Sequence, residues 1–190
     1  LDTCGTGGDG ANTVNVSTAT ALVVAACGVP VAKHGNRSAS GNSGSAEVLA
    51  ELGVAVEVDA SVVRRCLAET GLTFLFAPSF HPALRFAGPI RRQLPFRTLF
   101  NLVGPLANPA RPELQLVGVA SDRQADLVAS ALAQLGIRRA AVVTGSDGID
   151  EVTLDGSTQV HWVEDGEITA FLWNPDDFGL PPTSAGELRV

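Results

Sequence analysis

The sequence predicts an α/β fold: a central, mostly parallel sheet flanked by helices. Short runs rich in Val and Leu alternate with segments of helical period, the pattern of a sheet covered by helices. Two glycine- and serine-rich loops each follow an apolar run and precede a helical segment, as connections at the carboxyl edge of a parallel sheet do. A length of 190 residues with 45% hydrophobic content is enough to bury one large core, so residues 1–190 are expected to form a single domain.

The elements follow in order. Leu1 to Thr3 reads as the end of a strand, and Ser17 then caps a helix, STATALVVAAC, that stops at Gly28. A strand VPVAK comes next, followed by the loop HGNRSASGNSG and a helix SAEVLAEL ended by Gly53. In the helix near SVVRRCLAET, the residues Val62, Val63, Cys66 and Leu67 share one face. LTFLFA (72–77), LQLVGVA (114–120) and AAVVTG (140–145) read as buried strands. Between the last two, DRQADLVASALAQLG places Ala125, Val128, Ala129, Leu132 and Leu135 on one side of a helix. STQVHWVEDGEITAFLW reads as a hairpin turning at Asp165 and Gly166. No internal repeat, low-complexity tract or linker interrupts the series.

Charge narrows the partners. Thirteen basic residues against 20 acidic ones give a net charge of -7, which argues against broad nucleic-acid or anionic-membrane surfaces. Cys4, Cys27 and Cys66 have no zinc spacing, and two of them sit in helical segments as small apolar side chains, so a reducing, cytoplasmic setting is expected. No apolar run reaches membrane-spanning length. The chain opens on Leu1 and contains no Met, so a processed or excised piece of a longer protein is expected.

Chemistry concentrates first in GTGGDGANTVNVST (5–18). Gly5, Gly7 and Gly10 satisfy GxGxxG literally, but the helix opens only near Ser17 and no acid follows Asp9 until Glu47, so a dinucleotide fingerprint fails. A Walker A loop fails as well, because the only lysine, Lys33, is followed by His34. What remains is a bare-backbone connection able to approach an anion, with Asn12, Asn15, Ser17 and Thr18 at a helix N-terminus. Asp9 beside a phosphate needs a cation or ligand hydroxyls, which points to a sugar phosphate or a magnesium-bound diphosphate. A plain tight turn is the alternative.

The second cluster, KHGNRSASGNSGSAE from Lys33, would emerge at the same sheet edge. Lys33, His34, Asn36, Arg37, Ser38, Ser40, Asn42, Ser43 and Ser45 supply charged and neutral donors suited to phosphate oxygens. The alternative is a solvated polar loop.

GTGGDG, NVST, KHGNR, GSAEVLAELG, FAPSFHPAL, PIRRQLPFRTLFNLVGPLANP and GIDEVTL, in that order, resemble the nucleoside phosphorylase-like phosphoribosyltransferase family, in its branch acting on anthranilate. The resemblance implies transfer of the 5-phosphoribosyl group of phosphoribosyl pyrophosphate to the amine of anthranilate in tryptophan biosynthesis, with magnesium as cofactor. It also implies a homodimer in the full-length protein. Relative to that family, the N-terminal helical region and the C-terminal part of the α/β domain would be missing.

By resemblance, Gly5, Thr6, Gly7, Gly8 and Asp9 line the pyrophosphate and ribose, and Asn15, Ser17 and Thr18 hold phosphate oxygens. Lys33, with the loop through Asn36 to Ser45, closes over the donor. Gly5, Asn36, His81 and Pro78 lie near the acceptor, whose carboxylate pairs with Arg91; Arg92 is the competing candidate. Ser17, Asp150 and Glu151 would hold magnesium. Adjacent residues of a regular strand point to opposite faces, so Asp150 and Glu151 can share one metal only from a bent segment, which Gly148 permits. His34 is either a general base or a neutral hydrogen-bonding group, and His161 in the hairpin is structural. A pyrimidine nucleoside phosphorylase shares the fold, but its loop reads more like STGGVGD. A non-enzymatic nucleic-acid-binding relative would need a basic groove, which an acidic chain does not offer.

Overall fold

The computed structural model describes residues 1–7, 9–11, 13–38, 44–94, 96 and 98–188, without the side chains of Pro89, Arg91, Arg92, Ala185 and Leu188. The order is β1 (Asp2–Gly5), α1 (Val16–Ala26), β2 (Val31–Gly35), α2 (Ser45–Glu51), α3 (Ala60–Thr70), β3 (Leu72–Phe76), α4 (Ala77–Phe80), α5 (Gly88–Gln93), β4 (Leu114–Gly118), α6 (Asp122–Gln134), β5 (Arg139–Gly145), β6 (Thr158–Glu164) and β7 (Glu167–Trp173). Five strands form a sheet in the order β1-β4-β5-β6-β7, and β2 and β3 form a second pair. The pairs β1·β4, β4·β5 and β2·β3 are parallel, whereas β5·β6 and β6·β7 are antiparallel. The expected α/β class holds, with the parallel part leading and a hairpin closing it.

Burial explains the layering. Residues 140–145 of β5 are buried on both faces, as a central strand requires. On one face, α6 packs Ala125, Val128, Ala129 and Leu132 against Val117, Val119, Ala140, Val142 and Val163. On the other, Ala141, Val143 and Val160 meet Trp162 and Trp173. Around the second pair of strands, Ala46, Leu49 and Val56 pack on Phe74 and Phe76, while Val63 of α3 packs with Ala32 and Leu75.

Several expected boundaries shift. The cap of α1 is Asn15, not Ser17: its Oδ1 accepts the Thr18 N–H at 2.8 Å, while the Ser17 hydroxyl bonds Asn15 Oδ1 and Lys33. β2 starts two residues later than VPVAK suggests, because Pro30 has no N–H to give a ladder and the pairing with β3 begins at Val31. As a result His34 and Gly35 are strand residues, in register with Leu75 and Phe76, rather than loop residues. Leu135 falls outside the buried face, 66% exposed, because α6 ends at Gln134 and the chain turns through Gly136 at φ +76°. The hairpin turns where expected, with Asp165 at φ +50° and Gly166 at φ +88°, the left-handed pair a two-residue turn needs.

β2 lies beside β1, yet the backbone bonds that join them gather at their starts, from Leu1 N to Pro30 O at 2.8 Å and from Ala32 N–H to Leu1 O at 2.9 Å. Side chains supply the rest. Asp2 Oδ1 accepts the His34 N–H at 3.2 Å, Asn108 Nδ2 donates to both Asp2 Oδ2 and Ala32 O at 2.8 Å, and the Lys33 ammonium donates to Thr3 O.

Leu132 is 1% exposed and Leu135 66%. Leu132→Ala should therefore cost about 2–5 kcal/mol in urea unfolding, and Leu135→Ala less than about 0.5 kcal/mol. Comparable losses at both positions would mean that α6 buries a different face.

Candidate active site

β1 and β4 end in register at Gly5 and Gly118, and the segment carrying Asp150 lies directly across those ends. A Cβ on Gly118 would collide with the Asp150 carbonyl oxygen, and one on Gly5 would sit 2.5 Å from Asp150 Oδ2. These two glycines thus make the seat for the acidic segment. The segment is braced from beneath: Gly145 N–H donates to Ile149 O at 3.0 Å, the Thr153 hydroxyl to Asp147 Oδ2 at 2.9 Å, and Thr153 N–H to Thr158 Oγ1 at 3.0 Å. From above, Gly7 donates its N–H to Asp150 Oδ2 at 2.6 Å, and Asp150 N–H faces Asp9 Oδ2 at 3.4 Å. The opening loop and GIDEV, 143 residues apart at Gly7 and Asp150, form one structure.

The electrostatics follow from that crowding. Burial, opposed by the Gly7 bond and reinforced by Asp9, pushes the Asp150 carboxyl above its ordinary range. Burial and the Asp150 charge push Glu151 up to about 8, although Lys33 pulls it down. Lys33 is 2% exposed, its ammonium bonded to Thr3 O and to Ser17 Oγ at 3.0 Å, and burial lowers its pKa. Among the described residues, no group of three or more His, Cys, Asp and Glu side chains comes together as a metal cage.

Two imidazoles meet on the far side of the cleft. His34 and His81 meet edge to face, with centroids 5.1 Å apart. His34 Nδ1 lies 3.2 Å from Gly104 O; a carbonyl only accepts, so Nδ1 carries the proton and Nε2 keeps a lone pair. Burial and the neighbouring His81 lower the His34 pKa to about 4. The Nε2 atoms of both rings are buried without a hydrogen-bond partner.

The two halves share a cleft of about 570 Å³, which brings together Gly5, Thr6, Gly7, Asp9, Asn15, Ser17, Lys33, His34, Asn36, Ser45, His81, Asp150 and Glu151. Thr18 is not brought to it: its side chain is 1% exposed and its N–H is committed to Asn15, because the helix cap lies two residues earlier than expected. Pro78 is not brought to it either, since it opens α4 on the exposed side while Ala77 and His81 turn inward. Lys33 sits in β2 beneath the cleft rather than in a closing loop. Gly8, Asn12, Ser40, Asn42 and Ser43 lie outside the described residues, as do the side chains of Arg91 and Arg92 on α5. His161 is structural, bonding Asp126 Oδ1 through Nε2 at 2.9 Å. Sequence reasoning missed the wall made by Phe100, Asn101, Val103, Gly104, Pro105 and Ala107; NLVGPLANP was visible as a motif, but nothing local assigned it a face. It also missed Gly118, whose only signal was a glycine inside an apolar run.

The family described as "Glycosyl transferase family, a/b domain" matches across residues 1–190. An anthranilate phosphoribosyltransferase of Herpetosiphon aurantiacus is 55% identical over 181 residues, covering 95% of this chain and 54% of that protein. One from Rhodopseudomonas palustris is 51% identical over 189 residues, covering 100% and 56%. The chain thus spans about half the length of the curated relatives it matches. The crystal structure of anthranilate phosphoribosyltransferase from Thermus thermophilus superposes with a TM-score of 0.92 at 46% identity, covering 100% of this chain and 56% of that one. The Saccharomyces cerevisiae enzyme in complex with PRPP and Mg superposes at 0.91 with 33% identity, covering 100% and 52%.

Because the Glu151 pKa rises on folding from 4.5 to about 8, the folded state holds that proton more tightly than the unfolded state. Stability from this group is greatest below 4.5 and declines as pH rises through the window to about 8. Glu151→Gln should therefore be more stable than the parent above that window and equal to it below, in urea unfolding with chelator present. Identical pH profiles would mean a solvated carboxylate.

Proposed function

We propose, from the premise that this chain belongs to the glycosyl transferase family through its a/b domain, that it carries the catalytic cleft of an anthranilate phosphoribosyltransferase of tryptophan biosynthesis. In that reaction the bond from the ribose anomeric carbon to pyrophosphate breaks and a carbon–nitrogen bond to the aryl amine forms. The amine releases one proton, giving N-(5-phosphoribosyl)anthranilate and pyrophosphate. The observation that carries this reading is that one cleft joins glycine-loop N–H groups and acids to the His34 and His81 rings.

The polar half suits the donor. The glycine loop and the α1 N-terminus at Asn15 and Ser17 offer N–H and hydroxyl groups to diphosphate oxygens. Magnesium, when bound, would neutralise charge gathering on the departing pyrophosphate. Asp150 and Glu151 fit it: their raised pKa values reflect a repulsion that a divalent cation relieves, and magnesium is ordinarily held by one or two carboxylates together with substrate phosphates. The absence of a larger cage among the described residues accords with that mode. The Ser17 hydroxyl donates to Asn15 and accepts from Lys33, which leaves one lone pair for the ion. Lys33 acts through Ser17 and as a buried positive charge behind the acids.

The aromatic half suits the acceptor. With a pKa of about 4, His34 is neutral at physiological pH and offers Nε2 as acceptor to the amine N–H; it is a hydrogen-bonding group rather than a proton store. Positioning donor and acceptor in line carries the chemistry more than a strong base does. Asn36 sits between the two halves. Phe86, Ile90, Phe96 and Leu99 are exposed apolar side chains, which accords with burial in a homodimer of the longer protein. The free cysteines accord with a cytoplasmic setting.

Full-length protein incubated with phosphoribosyl pyrophosphate, magnesium and anthranilate should extinguish anthranilate fluorescence. Phosphorolysis of a nucleoside in its place would overturn the reading. Arg91→Ala should raise the anthranilate KM far more than the donor KM, because the lost charge-assisted contact is to a carboxylate only the acceptor carries. Equal effects on both substrates would remove Arg91 from the acceptor site.

A further inference from the structure

The wall of the acceptor half is held by side chains that do not themselves line the cleft. Asp2 is fully buried, and its oxygens divide their work: Oδ1 accepts the His34 N–H at 3.2 Å and Oδ2 the Asn108 amide at 2.8 Å. Asn108, 6% exposed, uses both of its amide protons and its amide oxygen. Its Nδ2 also donates to Ala32 O at 2.8 Å, and its Oδ1 accepts the Ala110 N–H at 2.8 Å. Close by, Gln115 of β4, also 6% exposed, donates from Nε2 to Pro105 O at 2.8 Å. The residue before Pro105, Gly104, receives the His34 ring at 3.2 Å. Residues 104–108 are therefore tied to β1 through Asp2, to β2 through Ala32 and His34, and to β4 through Gln115. Gly104, Pro105 and Ala107 face the cleft, whereas Asp2, Asn108 and Gln115 lie behind it.

We propose that Asp2, Asn108 and Gln115 are positioning residues for the acceptor: together they fix the gap between the 104–107 wall and the His34 ring. The inference rests on the reading of the His34 side as the acceptor half. The chemistry at position 108 is restrictive. One amide nitrogen must donate to a carboxylate and a carbonyl at once, while the amide oxygen accepts an N–H, and of the side chains of this size only Asn does all three. Asp at 108 would set two carboxylates against each other in a buried place. An apolar residue there would strand Asp2 Oδ2 and Ala32 O. Gln115 is a milder link, neutral on both sides, so losing it loosens one end of the wall and leaves the Asp2 seam intact.

The test uses Asn108→Asp and Gln115→Leu in the full-length protein, with steady-state constants for both substrates and the imidazole 15N shifts of His34. Both variants should raise the anthranilate KM about tenfold or more, while the phosphoribosyl pyrophosphate KM changes less than about twofold. In both, the His34 nitrogens should drift from the single tautomer set by Gly104 O toward averaged values. Gln115→Leu keeps the test open if Asn108→Asp does not fold, because it deletes one neutral bond and preserves much of the side-chain volume. Unmoved His34 shifts would overturn the inference whatever the activity, as would equal changes in both KM values. If the parent protein transfers nothing to anthranilate but the His34 shifts move in the variants, the proposed substrate fails and the positioning role stands.

Discussion

The contact between β1 and β2 is the constraint on which the site depends. Partners advance together along both strands, Leu1 with Ala32 and then Asp2 with His34, in the sense of parallel neighbours. The usual ladder is nonetheless replaced by Asp2, Lys33 and Asn108. Burial raises the Asp2 pKa and lowers that of Lys33, and for Asp2 the bonds from Asn108 and His34 oppose that penalty in place of water. Removing one partner from such a buried arrangement ordinarily costs about 3–5 kcal/mol, far more than an exposed pair contributes. Backbone pairing would have been the cheaper solution. What the side-chain seam adds is placement: an ammonium under Ser17, a histidine facing Gly104, and a wall tied to both.

The same economy of space operates on the other side of β1. Strand ends normally leave room for a loop, but here Gly5 and Gly118 remove both side chains where the acidic segment crosses, so Asp150 can descend to the sheet and meet the Gly7 N–H. That descent buries the acids, and burial gives Glu151 a pKa of about 8. Backbone clearance thus becomes an electrostatic property: bulkier residues at these two positions would lift the acids toward solvent and relieve the burial that raises their pKa values.

Legibility in the sequence tracked the range of the interactions. The Asp165–Gly166 hairpin, the C-terminal glycines of the helices and the apolar stripe of α6 are set by residues within a few positions of one another, and they were readable. Leu135 was misread because a stripe has the same period past the last helical turn, and only the exit of the chain at Gly136 ends it. The phase of β2 is misread because Val29 and Pro30 look like strand residues, whereas Pro30 lacks the N–H and pairing with β3 begins only at Val31. The acids and the glycine loop were each visible as motifs, but their contact spans 143 residues, and the Asp2–Asn108 bond spans 106. No periodicity encodes such pairs. The short turns between β3 and β4 are opaque for a different reason: Pro78, Pro82 and Pro105 lie in the first turn of three of them, without an apolar period to follow.

The polarity of the cleft also limits which acceptor the proposed reaction can take. A carboxylated aromatic amine brings its own negative charge beside a diphosphate, and the charges must be balanced separately for the two ligands to lie close. Lys33 is not available to the acceptor, since its ammonium is committed to Thr3 O and Ser17 behind the donor half. His34 is held neutral by burial and by His81, so it contributes no charge either. Arg37 leans on Phe76 and pairs with Glu57 at 3.1 Å. In the proposed reading, the resemblance to the family places the balancing cation on α5, at Arg91 or Arg92. An uncharged aromatic amine would then satisfy His34 but leave that arginine unpaired. Selection for the carboxylated acceptor would arise from that unpaired charge rather than from the shape of the aromatic pocket.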